Sequence, residues 1–132
     1  MKIKITSDME RARSIVKMTR DRENFVNHIN QKQFATIAAE NYYEIIKELC
    51  TAIALLNGYK FIGENAHKEL IDFVKDYKEI TDYEIKVIDD LRIRRNKSTY
   101  EGKPIEEIYL ENKKEDLLTI IEKLKKILEK EL

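Results

Sequence analysis

The stretch QKQFATIAAENYYEIIKELCTAIALL, from Gln31 to Leu56, decides the fold. Its apolar side chains recur at the three- and four-residue spacing of a helix and form one broad face. They are Phe34, Ala38, Tyr42, Ile45, Ile46, Leu49, Ile53 and Leu56. A stripe this wide can contact several neighbours at once, so we expect this helix at the centre of a bundle. Asn57 and Gly58 supply its C-terminal stop.

Four further helices are predicted around the central one, because apolar residues elsewhere recur at helical spacing between capping residues and breakers. In chain order they extend from Ser7 or Asp8 to about Phe25, from Asn65, from near Thr81 to about Lys97, and from about Asn112. No segment alternates with a period of two for long enough to predict a sheet. The sequence therefore predicts an all-α fold, a four-to-five-helix up-and-down antiparallel bundle, as a single domain over residues 1–132.

The composition limits the classes of function. The chain has 132 residues with 25 basic and 25 acidic side chains, so no global field draws in nucleic acid or an anionic membrane, and a partner must be recognised by a local patch. Its single cysteine, the lack of a Gly-rich phosphate loop and the lack of spaced Cys/His sets predict neither a metal site nor a cofactor. Without a long apolar run we expect no membrane association and a cytoplasmic location. Abundant Lys, Glu and Ile with no Trp suggest a thermophile's composition.

The most informative local feature is the arginine-rich run LRIRRNKSTYEG, from Leu91 to Gly102. At 100 degrees per residue, the apolar stripe that ends at Leu91 continues through Arg94, Arg95 and Ser98. In one interpretation the helix projects beyond the core and its arginines lay their stems on apolar surface, with their heads in water. In the other, the arginines face a groove between helices or subunits, where guanidinium groups bind phosphate.

Together with NYYEIIKELCTAIALLNGYKFIGENAHKELIDF, from Asn41 to Phe73, this run resembles the HEPN superfamily, in particular the archaeal type found beside minimal nucleotidyltransferases. The resemblance covers roughly Thr36 to Gly102. It implies a homodimer in which the motif of each subunit faces a shared cleft. Many members are metal-independent endoribonucleases, including toxins of toxin–antitoxin pairs, whose motif is Arg, a polar residue, then His four to six residues after the Arg.

Carried over residue by residue, Arg95 matches the motif arginine, with Arg94 as the alternative register, and Asn96 matches the polar residue. Tyr100 stands where the histidine is expected. A phenol with a pKa near ~10 is protonated at pH 7 and is a poor general base, so the candidate catalytic pair Arg95 and Tyr100 favours binding over cleavage. The resemblance further implies that Glu40 or Glu44 pairs with Arg95, and we favour Glu44 as part of the site. The remaining candidate binding residues are Arg92, Arg94, Asn96, Lys97 and Ser98.

Three hypotheses follow for function. The first is a HEPN-like dimeric module that binds RNA or a nucleotidyltransferase partner through Arg92 to Tyr100. The second is an endoribonuclease with a degenerate motif, in which Arg95 and Tyr100, or a histidine from elsewhere, act together across the dimer. The third is a purely structural protein that packs on a partner through its last helix.

For other polar and aromatic residues we favour ordinary structural roles. His67 is expected to have a structural or surface role, and Cys50 is expected to be buried and inert. The row Glu40, Glu44 and Glu48 is expected on a solvated face. The Tyr42–Tyr43 pair is expected to divide between core and rim.

Overall fold

A computed structural model describes all 132 residues of the chain as five helices and one two-stranded ribbon. Helices contain 73% of the residues, which confirms the predicted all-α bundle. The elements in chain order are β1 (Lys2–Lys4), α1 (Met9–His28), α2 (Ala35–Leu56), β2 (Tyr59–Phe61), α3 (Ala66–Val74), α4 (Asp82–Glu101) and α5 (Glu107–Glu131). None of these helices combines the length and the apolar character needed to cross a membrane.

Helix α2 lies at the centre, as predicted, and packs against each of the other four helices. Its side chains Ile45, Leu49 and Ile53 are fully buried in a single apolar cluster that extends from Ala12 to Leu128. Full burial of one such side chain contributes about 1.5–3 kcal/mol, so the periodic apolar face of α2 is the main determinant of the fold. A polar substitution at Leu49 would disrupt contacts with several helices at once.

Helix ends follow the local chemistry of the sequence. The Asp8 carboxylate accepts a hydrogen bond from the Arg11 backbone N–H and caps α1. Thr81 and Glu84 form the predicted capping box at the start of α4. Helix α2 ends at Asn57, and Gly58 follows with a φ of 79°, a backbone conformation that favours glycine.

Two helix starts differ from the prediction. Helix α2 begins at Ala35 because the Asn30 side chain accepts hydrogen bonds from the backbone N–H groups of Lys32 and Gln33 and holds residues 31–34 in a turn. Helix α5 begins at Glu107, ahead of the expected Asn112, and its first turns bury Tyr109 and Leu110.

One short β-ribbon was not predicted from the sequence. Residues Lys2–Lys4 pair antiparallel with Tyr59–Phe61, with Ile3 opposite Lys60. Strands of three residues are too short for a period of two to be recognised. The ribbon places β2 beside α3, and the rings of Tyr59 and Phe61 each lie 5.8 Å from that of Phe73 near the end of that helix.

Candidate binding site around Arg95

Arg95 lies on the inward stripe of α4, one turn after the fully buried Leu91. Its side chain is only 18% exposed, and Nη2 donates a hydrogen bond to Oε1 of Glu44 on α2 at 3.2 Å. Its guanidinium carbon lies 5.6 Å from the centre of the Tyr43 ring, within the range of a cation–π contact. The cation that the helical phase predicted on the core stripe is therefore accommodated by a carboxylate and an aromatic face.

Glu44 joins two cations. In addition to Arg95, its carboxylate contacts Nζ of Lys47 at 2.6 Å. Burial raises the pKa of Glu44, but the hydrogen bond and charge of Lys47, together with the charge of Arg95, outweigh burial and the net pKa lies below its usual value. Glu44 is thus held as an anion between α2 and α4.

The prediction that Glu40, Glu44 and Glu48 lie on a solvated face was wrong. Glu44 and Glu48 are each only 19% exposed, and Glu48 accepts a hydrogen bond from Nε of Arg22 at 2.9 Å. Glu40 accepts a hydrogen bond from the Ser98 hydroxyl at 2.9 Å. Helices α1 and α4 flank this row and supply its partners, so the carboxylates tie α2 to its neighbours.

The other two arginines of the run are also paired within the chain. Arg92 contacts Asp89 at 2.9 Å and Arg94 contacts Asp90 at 2.8 Å. The expected position of Arg94 on the inward stripe was wrong: its side chain is 46% exposed and its guanidinium carbon lies 4.5 Å from the centre of the Tyr109 ring on α5. Successive residues point 100 degrees apart, so Arg94 turns toward α5 while Arg95 turns toward α2.

Tyr100 does not join Arg95 within one chain. Five residues turn a helix by about 140 degrees beyond a full turn, so the two side chains leave α4 in different directions. Tyr100 is 76% exposed and its hydroxyl forms no hydrogen bond within the chain. It shares the outward face of α4 with Ile93 and Lys97, which are also exposed. The predicted catalytic pair is therefore not assembled by the monomer.

His67 lies next to this site. From the sequence, a structural or surface role was expected for it. Its ring lies 6.1 Å from that of Tyr43, which also contacts Arg95. Burial lowers the pKa of His67, and the charges of Lys47 and Arg95 lower it further, so the imidazole is neutral at pH 7. The only sequence signal was its place at the start of the third helix, and the packing of α3 on α2 brings it to Tyr43.

Tyr43 itself is fully buried, as is Tyr42, so the division of this pair between core and rim was wrong. The Tyr43 hydroxyl has no hydrogen-bond partner, and burial raises its pKa. Cys50 is buried as predicted, and burial raises the pKa of its thiol to about 12.

The site as a whole holds one guanidinium, one neutral imidazole and one buried phenol around a carboxylate. A neutral imidazole can accept a proton, and a guanidinium can stabilise charge on phosphate oxygens or pair with a carboxylate. No protein-family model matches the chain, and no curated protein or solved structure matches it at a significant level.

Proposed function

We propose that this chain is a HEPN-like binding module, a homodimer that binds a nucleotidyltransferase-type protein through the segment from Arg92 to Tyr100. The observation that carries the proposal is the position of Arg95, which lies between α4 and α2 and is held there by Glu44. The resemblance to HEPN proteins implies such an acidic residue on the second helix, paired with the motif arginine. The exposed Tyr100 in place of the motif histidine favours binding over cleavage.

Charge balance favours a protein over RNA as the partner. Each arginine of the segment already pairs with a carboxylate of its own chain, namely Asp89, Asp90 or Glu44. RNA binding draws most of its affinity from uncompensated cations that replace counterions on phosphates. A surface whose arginines are all paired instead suits a protein that carries both signs, where complementary pairs determine specificity.

The outward face of α4 supplies an apolar contact for such a partner or for the second subunit. Ile93 and Tyr100 lie seven residues apart, on the same side of the helix, and both are exposed. Aromatic residues flanked by polar groups are common at protein interfaces. In the proposed dimer this face contacts the second subunit and leaves Arg95 accessible to the partner.

Light scattering on the purified chain tests the dimer. We expect twice the monomer mass for the natural protein and a monomer when Ile93→Glu and Tyr100→Glu are combined. Met18→Glu, which changes an exposed apolar residue on α1, is the matched control and should leave the dimer intact. A monomeric natural protein at tens of micromolar would contradict the proposal.

Binding is tested with purified minimal nucleotidyltransferases and with a fluorescent single-stranded RNA, in parallel. We expect a nucleotidyltransferase complex that Arg95→Ala weakens at least tenfold, and RNA binding no tighter than about 10 µM at physiological salt. If no nucleotidyltransferase bound and RNA bound below 1 µM in a manner that Arg95→Ala abolished, RNA would replace the protein as the partner.

A second candidate function, metal-independent ribonuclease, is favoured by the proximity of His67 and Arg95 to one tyrosine ring. In that reaction His67 would take the proton of the 2′-OH, whose oxygen would attack the phosphorus and displace the 5′-oxygen of the next nucleotide; the displaced oxygen would take a proton from water. Arg95 would stabilise charge on the phosphate. Cleavage that leaves a 2′,3′-cyclic phosphate and is lost in both His67→Ala and Arg95→Ala would establish it. His28→Ala, which changes the other histidine, is the control. Intact RNA after incubation with high protein concentrations would reject this candidate.

A further inference from the structure

A cavity of about 370 Å³ lies where α1, α2, β2 and the start of α3 meet. Four basic side chains line it: Arg11 from α1, Lys47 from α2, Lys60 from β2 and His67 from α3. No Asp or Glu is among its lining residues. On a chain with equal numbers of basic and acidic side chains, a cavity lined by one sign of charge is a specific feature.

Two of these cations have no counter-charge within the chain. Arg11 and Lys60 form no ion pair, and neither side chain donates a hydrogen bond, whereas Lys47 is shared with Glu44 outside the cavity. Cations that the fold gathers from separate elements without a carboxylate raise the local positive potential. An anion in the cavity could contact Arg11 and Lys60 without breaking an existing ion pair.

The start of α3 adds to this potential. Asn65 precedes the helix and its side chain makes no capping hydrogen bond. The backbone N–H groups of His67 and Lys68 also find no acceptor in the chain, and Ala66 and His67 line the cavity. The positive end of the helix dipole and its free N–H groups favour an anion. They add to the positive charges of Arg11, Lys47 and Lys60.

Apart from Thr51, the rest of the wall is largely apolar and includes Leu55, Phe61 and Leu70. Ligand pockets typically enclose about 300–1,000 Å³ and combine apolar walls with a few polar groups that fix orientation. This volume and lining suit a body the size of one ring that carries an acidic group.

We propose that this cavity is a binding site for a small organic anion, a phosphate or carboxylate carried on a compact apolar body. The cations from α1, α2 and β2 and the first turn of α3 contact the acidic group, and the apolar wall contacts the body. The site shares Lys47 and His67 with the surroundings of Arg95, but it requires neither the dimer nor the partner proposed above.

Four probes separate the parts of this recognition: phenyl phosphate, benzoate, inorganic phosphate and benzyl alcohol. Each is titrated into the isotope-labelled full-length chain and followed by NMR at the Ala66, His67 and Lys68 amides. We expect saturable shifts with phenyl phosphate or benzoate, at least tenfold tighter than with benzyl alcohol or inorganic phosphate. Whichever acid binds more tightly identifies the acidic group.

The ring of His67 gives an independent readout. Burial and the charge of Lys47 lower the pKa of this histidine in the free protein, and a bound anion should raise it. The ring signals of His67, followed against pH with and without the tighter-binding acid, measure that change. An unchanged pKa at saturation would contradict contact between the anion and the basic groups.

Paired substitutions test the cations. Combining Arg11→Ala with Lys60→Ala should weaken binding at least tenfold, and both residues are exposed and unpaired, so circular dichroism should show an unchanged fold. The matched control combines Arg13→Ala with Lys4→Ala, which removes equal charge from the same helix and ribbon, and it should change binding less than twofold. Arg95→Ala should also leave binding within twofold, which separates this site from the proposed function. Equal losses in test and control, equal affinity for benzyl alcohol, or no saturable shift with any probe would overturn the proposal.

Discussion

A double-mutant cycle between Arg95 and Glu44 should give a coupling free energy of about 1–1.5 kcal/mol, compared with about 0.3–0.5 kcal/mol for Arg94 and Asp90. The two pairs lie on the same helix and differ in burial. The side chains of Arg95 and Glu44 are 18% and 19% exposed, whereas those of Arg94 and Asp90 are 46% and 48% exposed. Distance alone predicts the opposite order, because the exposed pair is closer, at 2.8 Å against 3.2 Å.

The magnitude follows from opposing terms. At an effective dielectric constant of about 20, two unit charges roughly 3 Å apart attract by roughly 5 kcal/mol, and the desolvation of both half-buried groups offsets most of this. Lys47 stays bound to Glu44 when Arg95 is removed, so the carboxylate is not left alone. Arg95→Ala should cost about 2 kcal/mol in total, because it also removes the guanidinium from the Tyr43 ring.

Urea unfolding of the single and double variants, followed by circular dichroism at pH 7, measures both coupling energies. The folded pKa of Glu44 lies below 4.5, so its stabilising contribution is complete above pH 4.5 and is lost as the pH falls through the folded value. The coupling free energy between Arg95 and Glu44 should therefore decrease in acid. A coupling energy no larger than that of the exposed pair, or one that did not change with acidification, would refute the argument from burial.

Other substitutions test single features of the structure. Tyr43→Phe should leave the free energy of unfolding unchanged or raise it by up to about 1 kcal/mol, because the lost hydroxyl is buried without a partner; a loss above about 1 kcal/mol in urea would reveal a hidden hydrogen bond. Gly58→Ala should cost about 3 kcal/mol, since its φ is 79° and a Cβ would lie 2.8 Å from the Ile5 carbonyl oxygen. Gly102→Ala has a similar φ and open space, so it should cost about 1 kcal/mol; equal thermal shifts for the two glycine variants would contradict the steric part of this explanation. The Cys50 thiol, whose pKa burial raises to about 12, should react with a thiol reagent at pH 8 only as fast as the chain opens, and rapid labelling of the native protein would contradict its burial.

The sequence predicted correctly those features that depend on residues within a single helix. The apolar face of α2 and the capping box at Thr81 depend on residues three or four apart, and both were predicted from spacing alone. The ribbon of Lys2–Lys4 and Tyr59–Phe61 was missed because its residues are more than fifty positions apart and each strand is too short to show a pattern. Its stability comes from tertiary pairing.

The same distinction applies to the site. The phase of α4 placed both Arg94 and Arg95 on the inward stripe, and only Arg95 lies there. Glu40 and Glu44 are one turn apart on α2, and the sequence could not choose between them as the partner of Arg95. The relative position of α2 and α4 along their axes decides that choice, because it brings Glu44 to Arg95 and Glu40 to Ser98. The approach of His67 to Tyr43 depends on how α3 packs, which no local spacing encodes.

The arrangement of charge distinguishes the two proposed sites. A ligand that binds Arg95 must displace Glu44 or accept it, so binding there exchanges one ion pair for another and favours a partner that carries both signs. Arg11 and Lys60 have no pair to exchange, and a small anion gains their attraction without breaking a contact. Higher salt should therefore weaken anion binding in the cavity more steeply than partner binding at Arg95, since Arg11 and Lys60 are unpaired whereas Arg95 is paired with Glu44.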